Sequence, residues 1–252
     1  MTSYERNTGM VVCIIGVLIV GAVVVGALTY FGPTTWGWFM GDDTVYYHFE
    51  STVGATTGPV NLNVDVTTGS VNVDFEDNAT LLYRIDVGAS NRTVQETSAP
   101  TVTFSSNTIT LSYSVLAANI TLGSGVNYTL DVTSTTGSID CDIIQGAHIG
   151  DVTLTTETGA IDFYMGSGVV IVGSPDYSFE TTTGMVDLNV ALPSGIGGSI
   201  EAAAGTGSVE IDAPGWTQIT SNHYESDDYD TASQIVTVVI QSDTGSVEAH
   251  IS

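Results

Sequence analysis

The chain has 252 residues, with 28 Asp and Glu against three Arg and no Lys, for a formal net charge of −25. That balance excludes a nucleic-acid binder, which needs clustered cations for phosphate contacts, and it removes lysine-dependent chemistry such as a P-loop or a Schiff base. Thr (36), Ser (24) and Gly (28) supply 88 residues while charged residues make up only 12%, against roughly 25% in ordinary soluble domains. A surface covered by hydroxyls and Asn fits an extracellular or envelope protein better than a cytoplasmic enzyme.

Residues 1–9 read as a short cytoplasmic tail. Met10–Phe31 is a run of 22 residues without a charge. As a helix rising 1.5 Å per residue it would span about 33 Å, enough for a hydrocarbon core of roughly 30 Å. The run is longer than a signal-peptide core, and Tyr30, Trp36, Trp38 and Phe39 form an aromatic cluster suited to a membrane interface. The expectation is a transmembrane helix over 10–31, a juxtamembrane linker over 32–43 and an extracellular domain over 44–252. Arg6, the basic residue on the near flank, sets the N-terminus on the cytoplasmic side. Cys13 falls in the apolar run and Cys141 far downstream, so the ectodomain is expected to hold no internal disulfide.

Beyond residue 43 the pattern changes from an apolar run to alternation. Aligned on Thr-Gly, the chain gives TTGSVNVDF (67–75), TTGSIDCDI (135–143), ETGAIDFYM (157–165), TTGMVDLNV (182–190), GTGSVEIDA (205–213) and DTGSVEAHI (243–251), with a weaker copy at 56–64. The glycines are Gly69, Gly137, Gly159, Gly184, Gly207 and Gly245, and the separations from Gly137 onward are 22, 25, 23 and 38 residues. A period of about 20–30 residues is the signature of stacked repeats. After each glycine an apolar residue alternates with Asp, Glu or Asn, the period of a half-buried strand. Val71, Val73, Ile139, Cys141, Ile161, Phe163, Val186, Leu188, Val209, Ile211, Val247 and Ala249 are expected to face inward. Asn72, Asp140, Asp162, Asp187, Glu210 and Glu248 are expected to face out as a ladder. The glycines mark tight turns that need φ > 0. Residues 126–252 carry the most regular copies, 214–233 read as an insertion, and 77–125 read as further strands without Thr-Gly copies.

The alternation of T-G-S-V-E-I strands with L-P-x-G … S-I-E-A strands resembles the putative-adhesin β-solenoid family of bacterial and archaeal surface proteins, over residues 126–252 and more loosely over 50–76. The resemblance implies an all-β, β-helix-like stack and no catalytic residues, because the family has none established to carry over.

Chemistry is sparse. The four histidines, His48, His148, His223 and His250, sit in no nucleophile or zinc motif, and neither G-x-S-x-G nor G-x-G-x-x-G occurs. Oxygen ligands for a weak Ca²⁺ site are densest at Glu225, Asp227, Asp228 and Asp230, which read equally as a solvated acidic loop. The tract Asp74, Glu76, Asp77 has the same bland reading. Glycosylation sequons stand at Asn78, Asn91, Asn119 and Asn127. The sequence therefore predicts a membrane-anchored surface protein with a structural or adhesive role, no catalysis and no cofactor. Its partners would be the membrane, a surface polymer, a neighbouring protein or another copy. A pilin-like filament subunit and an envelope enzyme are the rival readings.

Overall fold

The structure, a computed structural model, describes residues 23–25, 43–54, 56 and 58–252. The described chain is nearly all strand. Val, Ile and Thr populate these strands because a side chain stiff at χ1 packs well on a pleat and poorly in a helix. In order they are β1 (Val23–Val25), β2 (Thr44–Thr52), β3 (Val60–Thr68), β4 (Val71–Glu76) and β5 (Leu81–Ser90). A short helix, α1 (Asn91–Glu96), leads to β6 (Val102–Ser105), β7 (Thr108–Gly123), β8 (Asn127–Thr136) and β9 (Ile139–Ile143). Then come β10 (His148–Thr158), β11 (Ile161–Met165), β12 (Val170–Ile171), β13 (Asp176–Val190) and β14 (Gly197–Asp212). The last three are β15 (Thr217–Thr220), β16 (His223–Glu225) and β17 (Ile235–Ile251).

Each Thr-Gly copy is a corner between two arms. First arms pair in parallel in the order β7, β3, β8, β10, β13, β17, β14. Second arms follow the same order through β7, β4, β9, β11, β13, β17 and β14. The order of rungs is thus not the order of the chain. β17 lies between β13 and β14, and β3–β4 lie between β7 and β8–β9. Stacking in chain order, the simplest reading of the repeat, does not hold at either end.

The arms face each other across one core. Phe163 on a second arm meets Phe179 and Tyr177 on a first arm with ring centroids 4.8 and 6.0 Å apart, and Phe75 meets Tyr128 edge-on at 5.8 Å. Of the residues expected to face inward, all but Val209 and Ile211 are at most 1% exposed. Burying such a side chain contributes about 1.5–3 kcal/mol. Val209 and Ile211, on the outermost rung, are only half-buried.

At the corners the backbones approach so closely that a side chain does not fit. Gly137 has φ of 144°, and a Cβ there would lie 1.7 Å from the Gly69 carbonyl oxygen; Gly207 has φ of 143°, with the Gly245 oxygen 1.6 Å away. Beneath them runs a column of buried hydroxyls. Ser134, Thr156, Thr181 and Ser242 donate to the carbonyls of Gly69, Gly137, Gly159 and Gly184 at 3.3–3.5 Å. Each therefore partners an oxygen that would otherwise lie in a dry corner.

Antiparallel strands cover most of both ends. β5 pairs with the second arm of β7, β2 pairs with β5, and β6 pairs with the first arm of β7. At the far end the segment expected as an insertion supplies β15 and β16, and β16 pairs with β14 at Ser199–Glu201. Such covers protect exposed sheet edges. The transmembrane helix expected over 10–31 lies outside the described residues except at Val23–Val25. There the structure places strand β1 rather than helix, antiparallel to β2 with Val24 opposite Glu50. A valine triplet has high strand propensity, and β2 offers it an edge. Among the described residues no helix is long and apolar enough to cross a membrane.

Candidate functional site

In a parallel stack each outward residue meets the equivalent residue of the next rung, about 4.8 Å away. On the second-arm face this produces the column Asn119, Asn72, Asp140, Asp162, Asp187, Glu248, Glu210. Two residues further on runs a second column: Thr121, Asp74, Asp142, Tyr164, Asn189, His250, Asp212. Glu248 stands between Asp187 and Glu210 because β17 is inserted there. The sequence showed the first column's members but not the second's, since adjacency of Asp74 with Asp142 depends on which rungs are neighbours.

The first-arm face treats its acids differently. Asp131 sits between Asn63 and Thr153, Asp65 between Ser112 and Thr133, and Glu180 between Thr155 and Gln241. Apart from Asp151, whose carboxylate accepts from the Asp176 amide at 3.1 Å, carboxylates on that face are interleaved with neutral groups, whereas on the second-arm face they stack on one another from Asp140 to Glu210 and at Asp74–Asp142.

Stacking shows in the proton affinities. Burial first, then repulsion from Asp142, Asp162 and Asp74, raises the Asp140 carboxyl above its ordinary value. Burial and then Asp187 and Asp142 raise Asp162, and burial and then Asp142 raise Asp74. Asp140 and Asp162 are exposed residues, yet their carboxyls are flanked by neighbouring rungs that displace part of their water.

Side-chain partners for carboxylates gather at the two ends of this face. Arg84 on β5 donates to Glu50 at 3.2 Å and Glu76 at 3.0 Å, and His48 Nδ1 lies 2.7 Å from Asp86. At the other end His250 Nδ1 lies 2.9 Å from Asp212. The central carboxylates have no cationic partner among the described residues.

The remaining sites from the sequence fall elsewhere. Glu225 is on β16, 3.5 Å from His223, while Asp227, Asp228 and Asp230 lie in the turn that follows, where the Asp228 carbonyl accepts from Thr231 and Ala232. Among the described residues no three His, Cys, Asp or Glu side chains are grouped to hold a metal ion. Of the tract 74–77, Glu76 is paired with Arg84 and Asp77 accepts from Ser124 at 3.2 Å. The four sequons are all half-buried. Asn78 Oδ1 closes a turn by accepting from the Thr80 amide at 3.1 Å, Asn91 donates to Asp43 at 2.9 Å, and Asn127 lies 3.3 Å from His148. Asn119 belongs to the first column. Cys141 is a free, fully buried thiol, and burial pushes its pKa well up.

Two further features could suit a small molecule. Ser199 Oγ lies 3.0 Å from His223 Nε2, but Glu225 approaches the same nitrogen, so no carboxylate orients the ring through Nδ1 as a hydrolytic triad requires. A cavity of about 440 Å³ lies over the corners of β3–β4 and β8–β9, lined by Asp43, Ser70, Ser90, Leu116 and Ser138 among others. Its carboxylate is already bonded to Asn91.

No family model and no curated protein sequence matches the chain. A solved structure from Clostridium sporogenes, named a putative cell adhesion protein, shares the fold: TM-score 0.64 at 14% identity, covering 83% of this chain and 100% of that one. A putative adhesin from Bacteroides fragilis aligns with TM-score 0.30 at 10% identity, over 83% of this chain and 98% of that one. Another from Parabacteroides distasonis aligns with TM-score 0.29 at 9% identity, over 81% and 96%.

Proposed function

We propose that this chain is a cell-surface protein anchored by residues 10–31, with the N-terminus cytoplasmic, and that residues 44–252 form an extracellular β-solenoid serving a structural or adhesive role without catalysis. The observation that carries the reading is the segregation of charge between the two faces. Carboxylates stacked rung on rung cost stability, and the first-arm face of the same stack avoids that cost by interleaving them. A fold that tolerates it on one broad face is presenting a regular anionic surface to something outside itself. The fold shared with a protein named for cell adhesion supports the adhesive half of the reading. The uncharged run of 22 residues supports the anchor.

The test is fractionation of cells expressing the full chain, followed by protease shaving of intact cells. The proposal expects the chain in the membrane fraction, with most of its mass removed by external protease. Pairing of Val23–Val25 with β2 and insertion of the same residues into a bilayer are mutually exclusive. A chain recovered in the soluble fraction therefore refutes the anchor. For the adhesive role, cells bearing the chain should attach to a cationic surface more than cells lacking it. Replacing Asp140, Asp162 and Asp187 together by Asn should abolish the difference, and attachment unchanged by those replacements refutes the role given to the face.

A further inference from the structure

Among the described residues the second arms of the parallel stack have one open rim. Every inner second arm has a strand on both sides: β11 is held by β9 and β13, β13 by β11 and β17, and β17 by β13 and β14. The second arm of β14 pairs with β17 alone, since β16 covers β14 only at Ser199–Glu201. The outer edge of residues 205–212 thus presents a row of backbone N–H and C=O groups, from alternate residues, with no partner among the described residues; at its end the Ala213 carbonyl accepts from the Trp216 amide at 3.1 Å. Val209 and Ile211 are half-buried there, while Val247 and Ala249, one rung in, are 1% exposed. What is missing is one more strand.

We propose that the rim of β14 over 205–213 takes up an extended peptide of about five residues, with Lys or Arg at alternate positions, as the next strand of the stack. Backbone pairing would supply affinity and the alternation would supply selectivity, as in other cases of strand addition. Register decides the charge. A strand laid beside β14 puts its outward residues into the columns that end at Glu210 and Asp212, about 4.8 Å from each. An acidic strand would lengthen two runs of carboxylates, whereas a basic one would close them; its inward residues, if apolar, would cover Val209 and Ile211.

The same geometry weighs against a second copy. Two β14 rims brought together would set Glu210 and Asp212 against their own kind in a chain of net charge −25. Head-to-tail stacking would meet an opposite end already covered by β5 and β6. A peptide confined to the second arm also avoids the corner, where Gly207 would demand another glycine above it. The inference concerns the rim and stands apart from where the chain resides or what its acidic face contacts.

The test uses the full-length chain in detergent and three fluorescent heptapeptides: Thr-Val-Lys-Val-Lys-Val-Thr, its Glu counterpart, and the Lys peptide N-methylated on the backbone amides of both lysines. Fluorescence anisotropy should show saturable binding of the first, weakening with salt, and none of the second. Inward residues donate to the next rung, as the Val71 amide does to Ser138 and the Ile139 amide to Ala160, so an added strand would pair with β14 through the amides of its Lys positions. The N-methylated peptide keeps the charge but loses those two ladder donors, so it should bind at least about tenfold more weakly. Glu210→Gln with Asp212→Asn should weaken the Lys peptide by at least about tenfold, while Asp74→Asn, at the far end of the face, should not. Amide exchange over 205–213 should slow in the complex. Equal binding of the Lys and N-methylated peptides, or equal effects of the rim and Asp74 variants, would show general attraction to the acidic face and overturn the proposal. Concentration-dependent dimerisation through the same rim would overturn it in favour of a second copy.

Discussion

Asp140→Asn removes a charge that faces Asp162 across the strand, Asp142 along it and Asp74 on the diagonal. Strand spacing sets those separations at about 4.8, 6.7 and 8.3 Å. In a water-like dielectric the three repulsions amount to about 2 kcal/mol, and a Debye length of about 8 Å cuts this to about 1 kcal/mol at physiological salt. Asn is isosteric, so the substitution should stabilise the protein by about that much, raising Tm by about 2–4 °C. Melting followed by circular dichroism at pH 7 should show the gain at its largest near 10 mM salt, where screening extends to about 30 Å, and nearly gone at about 1 M. Asp162→Asn should behave alike. The double variant should gain less than the two singles together by about 0.5–1 kcal/mol, because their mutual repulsion is relieved only once. Single variants that destabilise, a gain indifferent to salt, or strict additivity would refute the ladder as a source of strain.

Acid should stabilise this protein over a limited range. Asp74, Asp140 and Asp162 have folded pKa values raised above the ordinary 3.8. Between 3.8 and those raised values the folded state binds more protons than the unfolded one, so stability falls as pH rises through the window. Tm should therefore climb as pH is lowered from 7 toward 4, and by less in the Asp140→Asn variant. At the corners, Gly137→Ala should cost more than about 3 kcal/mol, since a Cβ in contact with the Gly69 oxygen forces the rungs apart; urea denaturation measures it. Thr181→Val should cost about 1 kcal/mol by the same assay, leaving the Gly159 carbonyl without its hydroxyl partner. Cys141 should resist a thiol reagent in the native protein and react at once in urea.

Local pattern carried the strand faces into the sequence and left the neighbours out. Alternation after Gly137 and Gly159 marks Ile139, Cys141, Ile161 and Phe163 as inward and Asp140 and Asp162 as outward, because a period of two is a property of one strand. Which rungs touch is a property of pairs, and T-G-S-V-E-I at 206–211 and T-G-S-V-E-A at 244–249 would fit beside β13 equally well. The exchange of β14 and β17 was accordingly invisible, and with it the open rim. The end covers were illegible for a related reason. β5 and β7 alternate like any other strand, and nothing in LLYRIDVG or LAANITL states that they pair antiparallel. The Arg84 and His48 contacts follow from that pairing, so they too were hidden.

The place of β17 has a consequence for how the molecule is made. A stack whose rungs followed the chain could assemble behind the ribosome or translocon, each new coil settling on the last. Here β14 emerges first but belongs beyond β17, so growth in order of synthesis halts at β13. β14 must wait, paired only with β16 at Ser199–Glu201, for a 17-residue strand that enters between it and β13 along its whole length. The closing step joins residues distant in sequence on two sides at once, the kind of contact that makes folding slow. A chain interrupted before residue 235 would lack the rung next to its end rather than the end itself, leaving the edges of β13 and β14 as two unpaired rows of backbone groups facing a gap.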